Sequence, residues 1–427
     1  MARRAVRPET PARMRLWVAV TILVAATLLA TLSLLMARVQ EQVRIIGDEA
    51  APQAATAADL YFALSDMDAQ VARLVLVGDS DALAGTQIDA LGTYQQRSRQ
   101  VDADLQKSLT TSSSEADRAA VLDLLDNLAV YRERVWQTLT AGNAAAGYYT
   151  QATNVLHLDL LPAAQALRDG SEQRLSDAYA GKKETQVWAV TLALVLGGVL
   201  LILLLGLQVW LARRFRRLLN PALLAATVLT VALVIPAIVV LTLQGQRLAS
   251  ARDDSLTPFL RLSQARAISY DAAADTSRYL ISNNLAFYDD DFKRKSACLA
   301  GSGGCDVALP AVAGGSDVSP SQTDQVVARW QAYQKDHQTI IGLASSGKKD
   351  EAVGALTGIR RGDAAFDFSY YDAAVGEVAD ARKAAFDQAM DDVSTLMTGW
   401  AIIPLVVMGL VIVLVPVAVR RRFAEYR

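Results

Sequence analysis

A short polar stretch between two long apolar runs constrains this chain more than any other feature. The stretch is 213–221 (RRFRRLLNP), and the apolar runs on either side of it are 187–212 and 222–243. A helix of about 20 apolar residues is long enough to cross the hydrocarbon core of a bilayer. Both runs are therefore predicted to be transmembrane helices, joined by a hairpin at one membrane face. Two further runs, 16–37 and 397–419, complete a set of four predicted spans.

The charges are sorted between the short and the long segments of the 427-residue chain. The segments 1–15, 213–221 and 420–427 hold 13 Lys and Arg against two Asp and Glu, whereas 38–186 and 244–396 hold 29 against 42. Because basic residues favour the cytoplasmic side, the sequence predicts a multi-pass plasma-membrane protein with both termini and the hairpin in the cytoplasm. The basic clusters are also expected to contact anionic membrane lipids. They comprise Arg213, Arg214, Arg216, Arg217, Arg420, Arg421 and Arg422.

The first span has an alternative interpretation as a cleaved signal peptide. Its apolar stretch has 22 residues, whereas the apolar part of a signal peptide usually has about 7–15. The sequence MARVQ that follows offers no clear cleavage site with small residues. An uncleaved signal anchor is therefore favoured.

The two long segments have the apolar spacing of helices and show no strand pattern. In 38–186, turns at Gly78 and Gly142 help to divide four predicted helices, and the first and last of these continue into spans. This is the plan of an antiparallel four-helix bundle. The predicted fold is therefore all-α, with four transmembrane helices and two extracytoplasmic antiparallel helical bundles.

The second long segment, 244–396, repeats this plan imperfectly. Its second helix is predicted to be replaced by a loop at 283–321, which is rich in Gly, Ser and Pro. Its last helix, 348–396, is predicted to continue directly into the fourth span. Two long helical hairpins can share such a pattern by chance, so the plan alone leaves open whether the halves are duplicates.

A weak internal repeat favours duplication. The spans recur at an offset of about 206 residues. Asp66 and Arg73 recur as Asp271 and Arg278 at an offset of 205.

The only two cysteines, Cys298 and Cys305, lie in the predicted Gly-rich loop of the second segment. Thiols outside the cytoplasm tend to oxidise, so the sequence predicts one disulfide. A metal or redox site is the less favoured alternative, because the chain has no C-x-x-C motif and no histidine close to either cysteine.

The sequence offers no candidate for catalysis. Its two histidines, His157 and His337, lack the spacing of metal ligands and are predicted to lie on helix surfaces. No phosphate-binding loop or nucleophile motif is present, so no enzymatic activity, cofactor or metal is predicted. The basic residues form short clusters beside the predicted spans, so no nucleic-acid partner is predicted either. The four spans contain no Asp, Glu, Lys, Arg or His, which disfavours a transporter.

Four charged residues are the candidates for ligand binding. Asp66 and Arg73 lie seven residues apart and therefore share one helix face, as do Asp271 and Arg278. An arginine on such a face can hold a ligand carboxylate with two hydrogen bonds. A solvated or interhelical ion pair is the alternative for each of them.

Four residues near predicted turns are the candidates for partner binding: Tyr148, Tyr149, Tyr288 and Asp289. Aromatic residues are enriched at protein interfaces. A plain exposed turn is the alternative.

The stretch 139–167 (LTAGNAAAGYYTQATNVLHLDLLPAAQAL) resembles the start of the last bundle helix in the sensor modules of bacterial chemoreceptors and sensor kinases. The resemblance is one of pattern. Those receptors continue into HAMP and signalling domains, whereas the predicted cytoplasmic pieces here have 15, 9 and 8 residues. By analogy with chemoreceptors, a homodimer is one expected assembly.

Two such units in tandem, joined by RRFRRLLNP and followed by RRRFAEYR, resemble actinobacterial GlnX-type membrane proteins. The resemblance covers the architecture of the whole chain but few residue motifs. It implies a relay in which a solute-binding lipoprotein of the GlnH type detects acidic amino acids outside. The state would then reach the cytoplasmic serine/threonine kinase PknG or an adaptor.

The sequence therefore predicts a transmembrane signal-relay protein that senses an extracytoplasmic solute. The alternative is a non-catalytic structural or assembly subunit of a cell-envelope or permease complex. A pocket with arginines inside the bundles favours sensing, whereas a flat surface favours assembly.

Overall fold

The computed structural model describes residues 9–78, 80–111, 115–215, 220–316 and 318–424, with side chains except at 9–14, 214, 215 and 421–424. Within these ranges the chain is all-α and no strand occurs. The chain divides into two compact units. The apolar unit comprises 1–46, 177–249 and 389–427, and the polar unit comprises 47–176 and 250–388.

The apolar unit contains the predicted spans. They lie on α1 (Glu9–Arg44), the later part of α6 (Leu161–Phe215), α7 (Pro221–Ser250) and α14 (Ile403–Ala424). The described residues form four helical stretches that are long and apolar enough to cross a membrane. This confirms the predicted fold class and is consistent with a multi-pass membrane protein; the orientation of the termini stays a prediction.

Close packing and a few polar contacts join the helices of the apolar unit. A Cβ on Gly197 of α6 would lie 2.9 Å from a methyl group of Val234 on α7, so glycine allows these helices to approach closely. Asn220 Nδ2 donates to the Ala418 carbonyl of α14 over 2.9 Å. Gln42 Nε2 of α1 donates to Thr185 Oγ1 of α6 over 3.0 Å.

Most of the predicted basic clusters lie outside the described residues or side chains. These are Arg214, Arg216, Arg217, Arg421 and Arg422. Arg213 and Arg420 are described and exposed, on α6 and α14 respectively.

The first part of the polar unit has the predicted helical plan. It contains α2 (Ala51–Val77), α3 (Ala84–Thr111), α4 (Glu115–Thr140), α5 (Ala145–Val155) and the start of α6. Apolar side chains from one face of each helix form the core, because residues three or four positions apart share a face. They include Leu60, Leu64, Met67 and Val71 of α2, Val101 and Leu105 of α3, and Val121, Leu124 and Leu128 of α4.

Both predicted turn glycines have backbone torsions that favour glycine. Gly78 ends α2 with φ +51°, and Gly142 follows α4 with φ +54°. A side chain would be strained at either position, so these residues set where the helices end.

The second part of the polar unit contains α8 (Thr257–Ile281), α9 (Ala286–Ala300), α10 (Leu309–Val312), α11 (Pro320–Ser345), α12 (Lys349–Thr357) and the early part of α13 (Ala364–Met397). The prediction of a loop over 283–321 is wrong for most of its first half, because α9 lies within it. Phe292, Ser296 and Leu299 give α9 a buried face at helical spacing. Gly301 then ends the helix in the left-handed region, with φ +84°.

The prediction that 348–396 continues directly into the fourth span is also wrong. Residues 358–363 separate α12 from α13, and a turn at 398–402 separates α13 from α14. Gly399 in this turn has φ +85°. Pro404 has no backbone N–H to donate and therefore suits the first turn of a helix, where it is found.

Three π-helical turns precede prolines. They are Ile45–Ala50 before Pro52, Leu156–Leu160 before Pro162, and Ala251–Leu256 before Pro258. A proline cannot donate its backbone hydrogen bond and crowds the preceding turn, and a wider turn relieves this conflict. The first and third of these turns stand 206 residues apart, which matches the offset of the predicted repeat.

The first helices of the two long segments pack against each other, so both helical segments belong to one compact unit. At this contact Phe62 of α2 meets Tyr270 of α8 edge to face, with ring centroids 5.2 Å apart. Tyr270 in turn meets Phe368 of α13 at 4.8 Å.

The predicted disulfide joins Cys298 at the end of α9 to Cys305. Replacing both cysteines with alanine should lower the free energy of unfolding by about 2–3 kcal/mol, because the unfolded chain regains the freedom of the loop. Urea denaturation of the protein in detergent micelles, followed by circular dichroism at 222 nm, measures this. Reductant should shift the wild type by the same amount and leave the variant unchanged. Equal stability of the two proteins would contradict the prediction.

Candidate functional site

A buried arginine joins the two helical segments of the polar unit. Arg278 of α8 has only 3% of its side chain exposed. Its Nη2 lies 2.6 Å from Asp68 Oδ2 of α2. Its Nη1 lies 2.9 Å from Asp271 Oδ1 and 2.6 Å from Asp275 Oδ1, both on α8. One guanidinium thus holds carboxylates from both segments.

Hydroxyl groups complete the surroundings of Asp68. The Tyr149 hydroxyl donates to Asp68 Oδ2 over 3.0 Å and accepts from Arg278 Nε at 3.2 Å. Thr153 Oγ1 and the Tyr131 hydroxyl donate to the same carboxylate over 3.2 and 3.4 Å. A buried charge is tolerated only when it is paired and hydrogen-bonded, and Asp68 meets both conditions.

A second cation and a histidine extend the cluster. Lys295 Nζ of α9 lies 2.6 Å from Asp271 Oδ2, 2.5 Å from Asp275 Oδ2 and 2.8 Å from Asp291 Oδ2. His157 Nε2, from the π-helical turn before α6, lies 3.1 Å from Asp271 Oδ1. We refer to Asp68, Tyr149, His157, Asp271, Asp275, Arg278 and Lys295 as the buried ion network.

The two carboxyl groups of α8 in this network titrate differently. Burial alone would raise the pKa of Asp271, but the charges of Lys295 and Arg278 hold it well below its usual range. For Asp275 burial prevails over the same two cations and raises the pKa to about 6. Burial would lower the pKa of His157, but its hydrogen bond to Asp271 and the charge of that carboxylate raise it.

The buried ion network contains three of the residues predicted from the sequence to bind a ligand or a partner. Asp271 and Arg278 pair with each other, as the ion-pair alternative describes, and their ligand-binding role stays a prediction. Tyr149 is only 2% exposed, so its ring is not available to a partner in this arrangement. Tyr148 and Tyr288 are half-buried, and their partner-binding role also stays a prediction.

The prediction that His337 lies on a helix surface is wrong. Its side chain is buried and stacks on Phe292, with ring centroids 3.5 Å apart. Its Nδ1 lies 2.9 Å from Thr276 Oγ1, and its Nε2 lies 3.2 Å from Asp289 Oδ1. Asp289, a predicted partner-binding residue, also bonds Lys293. Burial lowers the pKa of His337 to about 4.

A cavity of about 80 Å³ lies between the two segments of the polar unit, and on α2 its lining residues directly follow Asp68 of the buried ion network. Its walls come from α2, α8, α11, α12 and α13. The lining residues are Ala69, Gln70, Arg73, Tyr270, Ala273, Ser277, Tyr333, Leu356, Ala364, Ala365 and Phe368. Arg73 is therefore the one predicted ligand-binding residue that lines this cavity.

Asp66 does not pair with Arg73, because Asp66 is bonded to Arg97 and Gln70. Arg97 Nε of α3 lies 2.6 Å from Asp66 Oδ2, and Gln70 Nε2 donates to Asp66 Oδ1 over 2.7 Å. Among the described residues, neither Gln70 Oε1 nor Arg73 Nε has a hydrogen-bond partner, and both atoms are buried. Burial lowers the pKa of Arg73, and the charge of Asp89 opposes this only in part.

Sequence reasoning missed the other walls of the cavity. Gln70 follows Asp66 by four residues and precedes Arg73 by three, so helix periodicity alone places it on the same face. Tyr270, Tyr333 and Phe368 come from three other helices, and no local pattern brings them together.

Comparison with known proteins supports a sensing role. Residues 42–180 match the family of actinobacterial sensor domains. The matched segment contains α2 to α5 and the start of α6, and thus Gln70 and Arg73. No curated protein and no solved structure matches the chain.

Replacing Arg278 with Met tests the buried ion network. The change leaves buried carboxylates without their shared cation, and should lower the free energy of unfolding by about 3–5 kcal/mol. Lys383→Met is the matched control. It breaks an exposed ion pair with Asp387 (2.9 Å) and should cost less than about 1 kcal/mol. Urea denaturation compares them, and similar small losses for both variants would contradict a structural role for Arg278.

The pH dependence of stability tests the burial of His337. Its pKa falls from 6.5 when unfolded to about 4 when folded, so below pH 6.5 the unfolded state binds the proton first. The histidine therefore favours unfolding increasingly as the pH falls from 6.5 to 4, by up to about 3 kcal/mol.

The test compares the wild type with His337→Gln. Asp275 and other carboxyl groups titrate in the same pH range in both proteins, so their contribution cancels in the difference between the two. Denaturation of each protein at several pH values should give a difference in stability that shifts in favour of the variant as the pH falls. A difference that does not change with pH would mean that His337 is protonated as easily in the folded state as in the unfolded state.

Proposed function

We propose that this protein is a transmembrane signal-relay protein that senses a solute outside the cell and has no enzymatic activity of its own. The observation that carries the proposal is the match of 42–180 to a sensor domain family. Two structural features support it. The matched segment contributes Gln70 and Arg73 to a cavity with buried, unpartnered polar atoms. It also ends on α6, a helix of 55 residues whose later part is one of the apolar spans.

A relay needs two arrangements of the helices that differ in their affinity for the ligand. A ligand that binds both arrangements equally shifts nothing, and a shift from 1:99 to 99:1 needs a difference in affinity of about 10⁴-fold. The contact of α2 with α8 is the proposed moving part. It carries the cavity and the buried ion network side by side, so a small displacement there changes charge pairing as well as cavity shape.

The partners in this proposal come from the resemblance to GlnX-type proteins. A solute-binding lipoprotein would present acidic amino acids on the outer side, and a serine/threonine kinase or an adaptor would respond on the inner side. The half-buried Tyr288 and the exposed Phe287 beside it are the proposed region of contact with the lipoprotein.

Site-specific photo-crosslinking in native membranes tests the relay. A photoreactive amino acid replaces Phe287, which is 58% exposed, or in the control Ile359, which is 75% exposed. Captured proteins are identified by mass spectrometry with and without glutamate. We expect position 287 to capture a solute-binding lipoprotein in a yield that changes with glutamate, and position 359 to show no such change.

The opposite result has a specific meaning. If position 287 captures only envelope-assembly or permease subunits, in yields that ignore every amino acid tested, the relay is refuted. The protein is then an assembly subunit.

A further inference from the structure

We propose that the cavity between α2 and α8 is itself a ligand site, and that it binds a small 2-hydroxy monocarboxylate with an apolar side chain. This site would give the chain a direct input of its own, separate from any lipoprotein. Its role in signalling rests on the proposed function, whereas binding can be measured independently of it.

Arg73 is the group that selects a carboxylate. Among the described residues that line the cavity, it is the only charged one. Its Nε is buried and has no hydrogen-bond partner among the described residues. A carboxylate can accept from the Nε and one Nη of a guanidinium together, which would satisfy this donor and neutralise the charge. A ligand with a single negative charge therefore balances the cavity.

The internal repeat explains why none of the described carboxylates is in direct contact with Arg73, where Asp89 acts only through its charge. Arg278 occupies the corresponding position 205 residues later, and has Asp275 three residues before it at 2.6 Å. In the first segment the residue three positions before Arg73 is the neutral Gln70. The place that a carboxylate fills beside Arg278 is thus left to an external anion beside Arg73.

Gln70 selects a neutral hydrogen-bond donor next to the carboxylate. Its amide group donates to Asp66, which turns its Oε1 into a buried acceptor without a partner. Residues three apart on a helix have Cβ atoms about 5–6 Å apart, so the donor must lie close to the carboxylate. A 2-hydroxyl group has this position. An ammonium group is disfavoured, because none of the described residues around the cavity contributes a carboxylate.

The remaining walls select the size and polarity of the rest of the ligand. They are formed largely by the rings of Tyr270, Tyr333 and Phe368 and by small aliphatic side chains. A volume of about 80 Å³ has room for roughly five to eight water-sized groups. A branched aliphatic side chain fits these walls. The second carboxylate of glutamate would lie against them without a second cation, so this site is distinct from one for acidic amino acids.

Isothermal titration calorimetry on the full-length protein in lipid nanodiscs tests the proposal with 2-hydroxy-3-methylbutanoate as the probe. Three compounds each change one feature: 3-methylbutanoate lacks the hydroxyl, 2-hydroxy-3-methylbutanamide lacks the charge, and L-valine carries an ammonium group in place of the hydroxyl. A fourth, L-glutamate, carries both an ammonium group and a second carboxylate. We expect the probe to bind at least about tenfold more tightly than each of the four. Each of the first three either loses a hydrogen bond or carries a net charge that does not match the single positive charge of Arg73, and glutamate brings a second carboxylate without a second cation.

Three variants test the placement of the ligand. Arg73→Gln removes the cation, Gln70→Asp supplies an internal counterion as Asp275 does, and Ala273→Leu fills the cavity. Each should weaken binding of the probe at least about tenfold. The matched controls Arg99→Gln and Ala129→Leu change exposed residues and should bind as the wild type does. Circular dichroism at 222 nm establishes that every variant compared is folded.

The proposal is overturned if the probe does not bind, if glutamate binds as tightly as the probe, or if the three cavity variants retain wild-type affinity. These outcomes are separate from those of the relay. Probe binding without glutamate-dependent crosslinking keeps the site and refutes the lipoprotein relay. Glutamate-dependent crosslinking without probe binding keeps the relay and refutes the site.

Discussion

The ion pair between Arg278 and Asp68 is the interaction on which the rest of the polar unit depends. Removing both groups from water is costly, and a buried pair contributes little net stability compared with apolar residues of the same size. Its effect is on specificity, because a misplaced partner leaves a buried charge uncompensated. A slip of α2 along α8 by one turn, about 5.4 Å, would separate Arg278 from Asp68. The network therefore fixes the register of the two helices.

This register also builds the cavity. Gln70 and Arg73 follow Asp68 on α2, and Ala273 and Ser277 lie among the network residues of α8. The ion network and the cavity thus lie next to each other on the same two helices. A movement of α2 relative to α8 therefore changes both of them. A ligand that alters the separation of α2 and α8 must change the distance from Arg278 to Asp68. Buried electrostatic interactions are strong and depend steeply on distance, so such a contact favours discrete arrangements over gradual ones.

The sequence predicts what local patterns encode in this chain. Apolar runs predict the four spans, and glycines at Gly78 and Gly142 mark helix ends because their torsions are needed there. The pattern fails at α9, where a helix with a narrow buried face is embedded in a Gly- and Ser-rich stretch. It fails again at the turn 398–402, where one glycine and one proline interrupt an otherwise helical sequence. Compositional averages hide single residues of this kind.

At the candidate site too, local sequence patterns predict which residues share a helix face, but not which residues of other helices they contact. Helix periodicity places Asp66 and Arg73 on one face, but it does not reveal that Asp66 is taken by Arg97 of another helix. Nor does it reveal that His337 is enclosed by Phe292 and Thr276. These partners come from helices far apart in sequence. Pairing between helices therefore decides which polar residues stay available for a ligand.

Comparison of the two halves gives a physical reason for their different charge pairing. The positions of Asp66, Gln70 and Arg73 correspond to those of Asp271, Asp275 and Arg278 at a constant offset of 205. In the second half Asp271 and Asp275 both pair with Arg278, and Lys295 pairs with Asp271. The charges of this site are thus balanced by residues of the chain itself. In the first half an amide replaces one carboxylate and another arginine binds the second. One arginine is thereby locked into the structure, while the other retains unsatisfied hydrogen-bonding capacity beside a cavity. Two differences, Gln70 in place of an aspartate and the pairing of Asp66 with Arg97, therefore separate the internally paired copy of the motif from the copy that we propose binds a ligand.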